Sequence, residues 1–539
     1  MKKYLPQVVL SFAVSFMMFI YEPIVMYANN INDFWFDLKI LLKPSIVMFI
    51  AAFLMIFILY SLLYLIIKKV TKKNKMYHIL LIAGYILFIT SYIEGNYLAG
   101  LLPALDGSFI DWSKYTKASL TSFVILLVIT ILVVIIYKKY KDKTINILKY
   151  ISMAICAMLS VSLLTTITST DALKSKEYSV TATTKNLDAY SEEDNFIILL
   201  LDATDSVMYN EIVESNSKYK TSLKDFTYYP DTISGYPFTR DSIPFILSGM
   251  WNNNENDFKD YYIKAMDSSP LIKELKSKKY NINIYDTEIL YNSENASIIN
   301  NLSFNCEYNT KSFMKQELKY VLFKYLPFYL KKYANIESMN FNNAKKVKGE
   351  VFDLNDRVFY NTYLNNFSKS DDKQFKFIHL EGAHVPFDLD KNLNSIMNGT
   401  YEQKLEATVN LTEKYLNYLK ENDVYDNSNI IIMADHGYNV EDIIMGRQNP
   451  ILYIKCKNET HENMIISDKA ISHEDLMSAY KSLLDNKKSD ELFKDIPSNR
   501  ERRYLWYEYR KENHMVEYVQ KGKAWNDDTL VPTGREFNR

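Results

Sequence analysis

Ile430-Ile431-Ile432-Met433-Ala434-Asp435-His436-Gly437 decides how this chain is read. A run of β-branched and apolar residues is the pattern of a parallel-sheet strand buried on both faces. Its carboxyl end carries an Asp and a His side by side, and open α/β sheets keep their ligand sites at that end. A carboxylate oxygen beside an imidazole nitrogen suits a Zn²⁺- or Mn²⁺-like ion. Asp-His-Gly also closes strands for turn reasons alone, so the reading depends on what else the chain brings to the same edge.

Three other segments have a matching form. Asn195-Phe196-Ile197-Ile198-Leu199-Leu200-Leu201-Asp202 is a second apolar strand ending in a carboxylate, either a ligand or a cap for the next helix. Asp205 is a spare ligand or the cap itself. In Ser234-Gly235-Tyr236-Pro237-Phe238-Thr239-Arg240-Asp241-Ser242-Ile243-Pro244, Gly and Pro force an irregular loop. A helix is expected to start at Ser242 with Pro244 in its first turn. Backbone N–H groups at such a junction favour a phosphate, and a metal would make Thr239 a nucleophile. The alternative is that Thr239 is an N-cap. Arg240 either clamps a phosphate or is a solvated surface residue.

Phe377-Ile378-His379-Leu380-Glu381-Gly382-Ala383-His384 places two of the chain's seven histidines near one strand end. They suit proton donation to a leaving group, phosphate binding or a second metal. Glu381 is a lesser substrate-binding candidate, because it points to the other face if the strand persists. Ser472-His473-Glu474-Asp475 opens a helix and reads first as a cap.

With 539 residues there is room for more than one domain, and the net charge of −1 argues against a nucleic-acid partner. Apolar residues are concentrated at one end. Five stretches, at 4–26, 44–67, 77–97, 120–137 and 147–168, approach the ~20 residues that span a bilayer. Lys2 and Lys3 precede the first. Lys68, Lys69, Lys72, Lys73 and Lys75 follow the second, and Lys138, Lys139, Lys141 and Lys143 follow the fourth. The alternate loops carry only Lys39, Lys43, Lys114 and Lys117. The positive-inside rule makes the amino terminus cytoplasmic and everything after residue 170 extracytoplasmic. No small-residue cleavage site follows the first stretch, as a signal peptide would require.

The expected architecture is α/β: a five-span transmembrane domain (1–170), a polar juxtamembrane linker (171–194), and a domain over 195–539 with a mostly parallel central sheet flanked by helices. Strands are expected at 196–201, 282–285, 375–380, 430–434 and 451–455. An amphipathic helix is expected at 402–419, and a β-rich tail closes the domain from about 502. Residues 312–350, rich in Lys, Tyr and Phe, read as an insertion packed near the site or the membrane. Cys306 and Cys456 either pair or remain free thiols; Cys156 lies in a span.

Taken in order, these segments resemble the alkaline phosphatase superfamily in its sulfatase-like branch. More narrowly, they resemble the membrane-anchored phosphoethanolamine transferases and lipoteichoic acid synthase. The resemblance implies that Asp202, Thr239, Asp435 and His436 bind Zn²⁺ or Mn²⁺, with Thr239 as nucleophile and His379 and His384 as further catalytic groups. His379 and His384 reproduce the family's His-x-x-Gly-x-His element. Thr239-Arg240-Asp241-Ser242-Ile243-Pro244 follows the phosphoethanolamine branch's spacing from Thr to Ser-hydrophobic-Pro. The chain departs in having Asp202 where those transferases have Glu, and in lacking their disulfides and the His soon after Asp-His-Gly.

The implied activity is transfer of phosphoethanolamine or glycerol phosphate from a membrane phospholipid to a cell-surface glycan or glycolipid. It would run through a phospho-threonine, at a bacterial plasma membrane. The alternatives are a phosphodiesterase, phosphatase or sulfatase-like hydrolase with the same site, or a degenerate membrane protein that binds lipid headgroups. Sulfatases of this fold use a formylglycine from Cys/Ser-x-Pro-x-Arg. Aligned on Pro237, those positions hold Gly235 and Thr239.

Overall fold

The computed structural model describes residues 4–31, 34–71, 75–102, 110–141, 143–174, 180–287, 291–304, 307–333, 341, 344–438, 446–509 and 511–539. The chain divides into two compact units, 1–177 with 307–346, and 178–306 with 347–539.

In the first unit, five helices have the length and apolarity to cross a membrane: Leu5–Asn29, Leu38–Val70, Lys75–Leu101, Trp112–Tyr140 and Lys143–Ser169. The segment 307–346, expected inside the catalytic domain, belongs to this unit. Its helix Thr310–Tyr325 lays Val321 and Tyr325 into the same core as the spans. Tyr320 and Tyr325 donate to the buried Glu22 carboxylate at 3.0 and 2.9 Å, and Lys324 pairs with it at 2.7 Å. A carboxylate at that depth needs such partners to offset its desolvation. The aromatic content of the insertion is used in the same way: Phe313 and Phe341 pack with Phe36 at 4.9 and 5.5 Å.

The second unit is built on a seven-stranded sheet. Its strands are β1 (Asn195–Leu201), β2 (Thr227–Tyr228), β3 (Asn281–Tyr285), β4 (Gln374–Leu380), β5 (Ser428–Met433), β6 (Leu452–Lys455) and β7 (Ile465–Ile466). Their spatial order is β7-β2-β6-β5-β1-β4-β3. Every side chain from Phe196 to Leu201 is buried, each contributing roughly 1.5–3 kcal/mol. Helix Tyr401–Glu421 begins with a capping box between Thr400 and Gln403, and it buries Leu405, Val409, Tyr415, Leu416 and Leu419.

β1 pairs in parallel with β4 on one side and β5 on the other, aligned so that Leu201 faces Leu380 and Leu200 faces Met433. Their carboxyl ends therefore open at one edge, which gathers Asp202, His379 and Asp435. β6 departs from the parallel expectation by running antiparallel to β5.

The expected linker is only partly a linker. Thr181–Ala182 pairs with Leu302–Ser303, and Ala189–Ser191 with Ser368–Ser370, so its second half carries two short strands. The carboxyl-terminal tail is a three-stranded antiparallel sheet of Arg502–Trp506, His514–Gln520 and Leu530–Asn538. Cys456 is buried and free; Cys306 lies outside the described residues.

Gly382 shows how tightly the edge is built. Its φ is +57°, and a Cβ there would lie 2.6 Å from the Asp202 backbone nitrogen. Gly382→Ala should destabilise the protein by about 3 kcal/mol, from left-handed strain plus displacement of the β1 terminus. Thermal unfolding of the full-length protein checks this; an unchanged transition would mean that the two backbones part freely.

Candidate active site

β1 delivers Asp202 and β5 delivers Asp435 and His436, and all three are buried. Each offers one ligand atom, and these atoms lie within 4.8 Å of one another. His436 Nε2 stands 3.3 Å from Asp435 Oδ2 and 3.7 Å from Asp202 Oδ1. Its Nδ1 is 2.7 Å from the Gly437 carbonyl oxygen, a hydrogen bond that directs Nε2 at the carboxylates. Gly437 leaves room for this turn, since a Cβ there would come within 2.4 Å of the Gly446 oxygen.

The helix carrying the hydroxyl spans Thr239–Ser248, three residues earlier than expected, and Pro244 falls in its second turn. Phe238 is the N-cap and makes no side-chain cap bond. Thr239 is thus free of capping duty, and its Oγ1 donates to Asp202 at 3.3 Å to Oδ2 and 3.5 Å to Oδ1. The early start is supported from the carboxyl-terminal tail. Tyr507 donates to Asp241 at 2.6 Å, and Leu505 N–H donates to the Gly235 carbonyl at 2.9 Å.

His379, on β4, is fully buried. Its Nδ1 is 2.9 Å from Asp286 and its Nε2 3.4 Å from Asp202. The ring therefore lies between two carboxylates, hydrogen-bonded to Asp286 and in close approach to Asp202. Burial disfavours its imidazolium, but Asp286 and Asp202 outweigh that and raise its pKa well above the ordinary value.

His384 is half-buried in the loop after β4, with Nδ1 2.6 Å from the Val385 carbonyl oxygen. Burial opposes ionisation of Asp202, yet the charges of His384, His436 and His379 and the His379 hydrogen bond hold its pKa below the usual carboxylate range. For Asp435, burial and the charge of Asp202 prevail and raise the pKa.

The remaining candidates point elsewhere. Glu381 is bound by Lys404 at 2.9 Å, not by the carboxylate cluster. The Arg240 guanidinium lies 4.3 Å over the Phe258 ring and 3.5 Å from Glu512. Asp205 is the cap of the helix after β1, accepting from Met208 N–H at 2.9 Å. His473 is completely buried, and burial together with the charge of His436 holds its pKa down to about 3.

Sequence reasoning passed over Asp286 and Lys404. Asp286 follows the strand-like run Ile282-Asn283-Ile284-Tyr285, the same signal that marks Asp202, but the polar Asn283 weakens it. Lys404 gives no signal, being one lysine in a helix of mixed charge. Asp286→Asn keeps the shape and removes the charge that fixes His379. Turnover should fall about 10- to 100-fold with the fold intact, measured by steady-state kinetics beside thermal unfolding; full activity would show that His379 needs no such partner.

Residues 194–494 match the family model described as Sulfatase. No curated protein matches the chain. Among solved structures, the periplasmic domain of EcEptC from Escherichia coli aligns at 12% identity and TM-score 0.33, covering 66% of this chain and 95% of that one. A protein in the alkaline phosphatase superfamily from Vibrio parahaemolyticus aligns at 12% identity and TM-score 0.37, covering 66% and 80%. BT4656, solved with D-glucosamine-2-N,6-O-disulfate, aligns at 10% identity and TM-score 0.40, covering 64% and 91%. The family match takes in all three strands of the cluster and more than half of the chain, which belongs to the Sulfatase family.

Proposed function

We propose that this protein is a membrane-anchored, metal-dependent transferase. It would move a phospho-headgroup, phosphoethanolamine or glycerol phosphate, from a phospholipid to a cell-surface glycan or glycolipid. The observation that carries this reading is the Thr239 hydroxyl, 3.3 Å from Asp202 inside a cluster of metal-ligand type, on a chain with five spanning helices. A formylglycine sulfatase fits less well, since the hydroxyl facing the cluster belongs to Thr239 and the formylglycine position holds Gly235. The lysine asymmetry supports a cytoplasmic amino terminus and an extracytoplasmic catalytic domain at a bacterial plasma membrane.

The residues fit a divalent cation. Asp435 Oδ2 is buried without a hydrogen-bond donor and shares its pocket with a second carboxylate, an arrangement that is costly without a cation between them. Zn²⁺ or Mn²⁺ held by Asp202, Asp435, His436 and the Thr239 oxygen would supply Lewis acidity to that oxygen and to the phosphoryl group.

Thr239 Oγ forms a bond to phosphorus as the bond from phosphorus to the diacylglycerol oxygen breaks. Water takes up the Thr239 proton, and His384 Nε2 gives one to the departing oxygen. In the second half, an acceptor hydroxyl attacks phosphorus of the phospho-threonine and yields its proton to His384, as the bond to Thr239 Oγ1 breaks and water returns a proton to that oxygen. His379, sealed between Asp286 and Asp202, holds the site in shape.

The test uses full-length protein in vesicles containing NBD-labelled phosphatidylethanolamine or phosphatidylglycerol, Mn²⁺ and a glucosyl-diacylglycerol acceptor. The expected result is labelled diacylglycerol together with acceptor carrying the headgroup. Diacylglycerol with only free headgroup phosphate would make the protein a hydrolase, and no release from either lipid would reject the reading.

A further inference from the structure

The loop from Glu381 to Asp388 carries His384, and its surroundings are more elaborate than a strand-to-helix connection requires. On one side it is stitched to the metal-ligand strand. Asp202 N–H donates to the Leu380 carbonyl at 3.1 Å, and Ala383 N–H donates to the Asp202 carbonyl at 2.9 Å. At its start, Gly382 N–H donates to Asp356 Oδ1 at 3.2 Å. On the other side stands Lys404, from helix Tyr401–Glu421, with a side chain 0% exposed. Its Nζ is 2.9 Å from Glu381 and 2.7 Å from Asp388, so one ammonium grips the first and last residues of the loop.

A fully buried lysine is a costly choice for fastening a loop. Lysine is almost never completely buried unless paired, and a hydrophobic residue of similar volume is often as stabilising as a buried ion pair. What the ammonium adds is geometry: two directional, charge-assisted bonds that fix the loop's two ends. His384 lies within that span. The residue before it, Ala383, is bonded to the Asp202 backbone, and an imidazolium at His384 would favour ionisation of both Asp202, in the metal-ligand cluster, and Glu381, at the clamp. His384's own hydrogen bond, to Val385 O at 2.6 Å, is internal to the loop. It orients the ring relative to the loop but does not hold the loop relative to Asp202.

We propose that Lys404 is a positioning residue for His384, clamping the 381–388 loop at both ends so that the imidazole is held over the Asp202–Thr239 edge. This rests on the reading that His384 exchanges protons with the leaving and attacking oxygens. A displacement of about 1 Å in such a group costs about 10²-fold in rate.

The experiment is a double-mutant cycle on full-length protein, following diacylglycerol release from NBD-phosphatidylethanolamine or NBD-phosphatidylglycerol with Mn²⁺. His384→Ala should lower kcat by about 10²- to 10³-fold. Lys404→Met should lower kcat by about 10²-fold with KM changed less than threefold. Lys404→Met combined with His384→Ala should be no slower than His384→Ala alone, because a clamp has nothing to position once the ring is gone. Asp388→Asn, which releases one end of the loop at a carboxylate about a third exposed, should lose about 3- to 10-fold and fold normally. It keeps the test open if Lys404→Met does not fold, because its loss should likewise vanish in the His384→Ala background.

Losses that multiply in the double variants would overturn the clamp and leave the role of His384 standing. Full activity of His384→Ala would instead overturn the assignment of His384, and the clamp's purpose with it. No release by the wild-type protein from either lipid would overturn both.

Discussion

Replacing Thr239 with Ala is expected to reduce headgroup transfer by about 10⁴-fold or more while leaving the fold and the metal complement in place. The size of the effect follows from the role. When a covalent intermediate is obligatory, loss of the nucleophile removes the pathway, and only slow direct attack on the bound donor remains. Thr239 sits at a helix amino terminus, half-exposed, and its hydroxyl is not used to cap the helix. Stability should thus change little. Asp202, Asp435 and His436 remain to hold an ion in the variant. The check is single-turnover diacylglycerol release beside metal analysis and thermal unfolding of the same preparation. A Thr239→Ala protein that transfers within tenfold of wild type would mean the acceptor attacks the donor directly.

The second large effect is expected at Asp435. Asp435→Asn should reduce bound Zn²⁺ or Mn²⁺ from about one equivalent to a small fraction, and turnover by about 10³-fold or more. Its effect on stability should change sign with the metal. In chelator, the wild-type protein carries two buried carboxylates facing one another, and burial and Asp202 raise the Asp435 pKa. A carboxyl whose folded pKa is raised contributes most at low pH and loses that contribution as pH rises through the folded value. Metal-free wild type should therefore lose stability as pH rises, and metal-free Asp435→Asn should lose less and unfold at the same or a higher temperature.

With metal present the order reverses. Wild type gains the linkage term, about 4 kcal/mol at a thousandfold excess over Kd, and the variant does not. Differential scanning with and without Mn²⁺ resolves the two cases. A variant equally destabilised in both would mean that Asp435 is a structural acid and not a ligand.

Much of this site can be read before folding because its chemistry sits at strand ends. An apolar run followed by an acid is a local signal, and parallel pairing then brings the ends of β1, β4 and β5 together without further instruction. The first unit is legible for a similar reason, since length and apolarity alone mark the five helices long enough to cross a membrane. What escapes is long-range. The antiparallel direction of β6 is set by its pairing with β5 and is not written in the composition of its own residues.

The insertion 307–346 shows the same limit. Its aromatic and lysine content marks it as unusual, but only the partners Glu22 and Phe36 give it a place. Lys404 is the extreme case. Its helix periodicity is plain, yet nothing local reveals that this lysine is buried against two carboxylates sixteen and twenty-three positions away.

The measurement that bears most directly on the central claim is intact and peptide mass spectrometry of the full-length protein purified from its own membranes, beside Thr239→Ala. The account predicts a phosphate-linked headgroup adduct on the Thr239 peptide, absent from the variant, with a mass that distinguishes phosphoethanolamine from glycerol phosphate. A bare Thr239 in protein trapped during turnover with donor and no acceptor would contradict it.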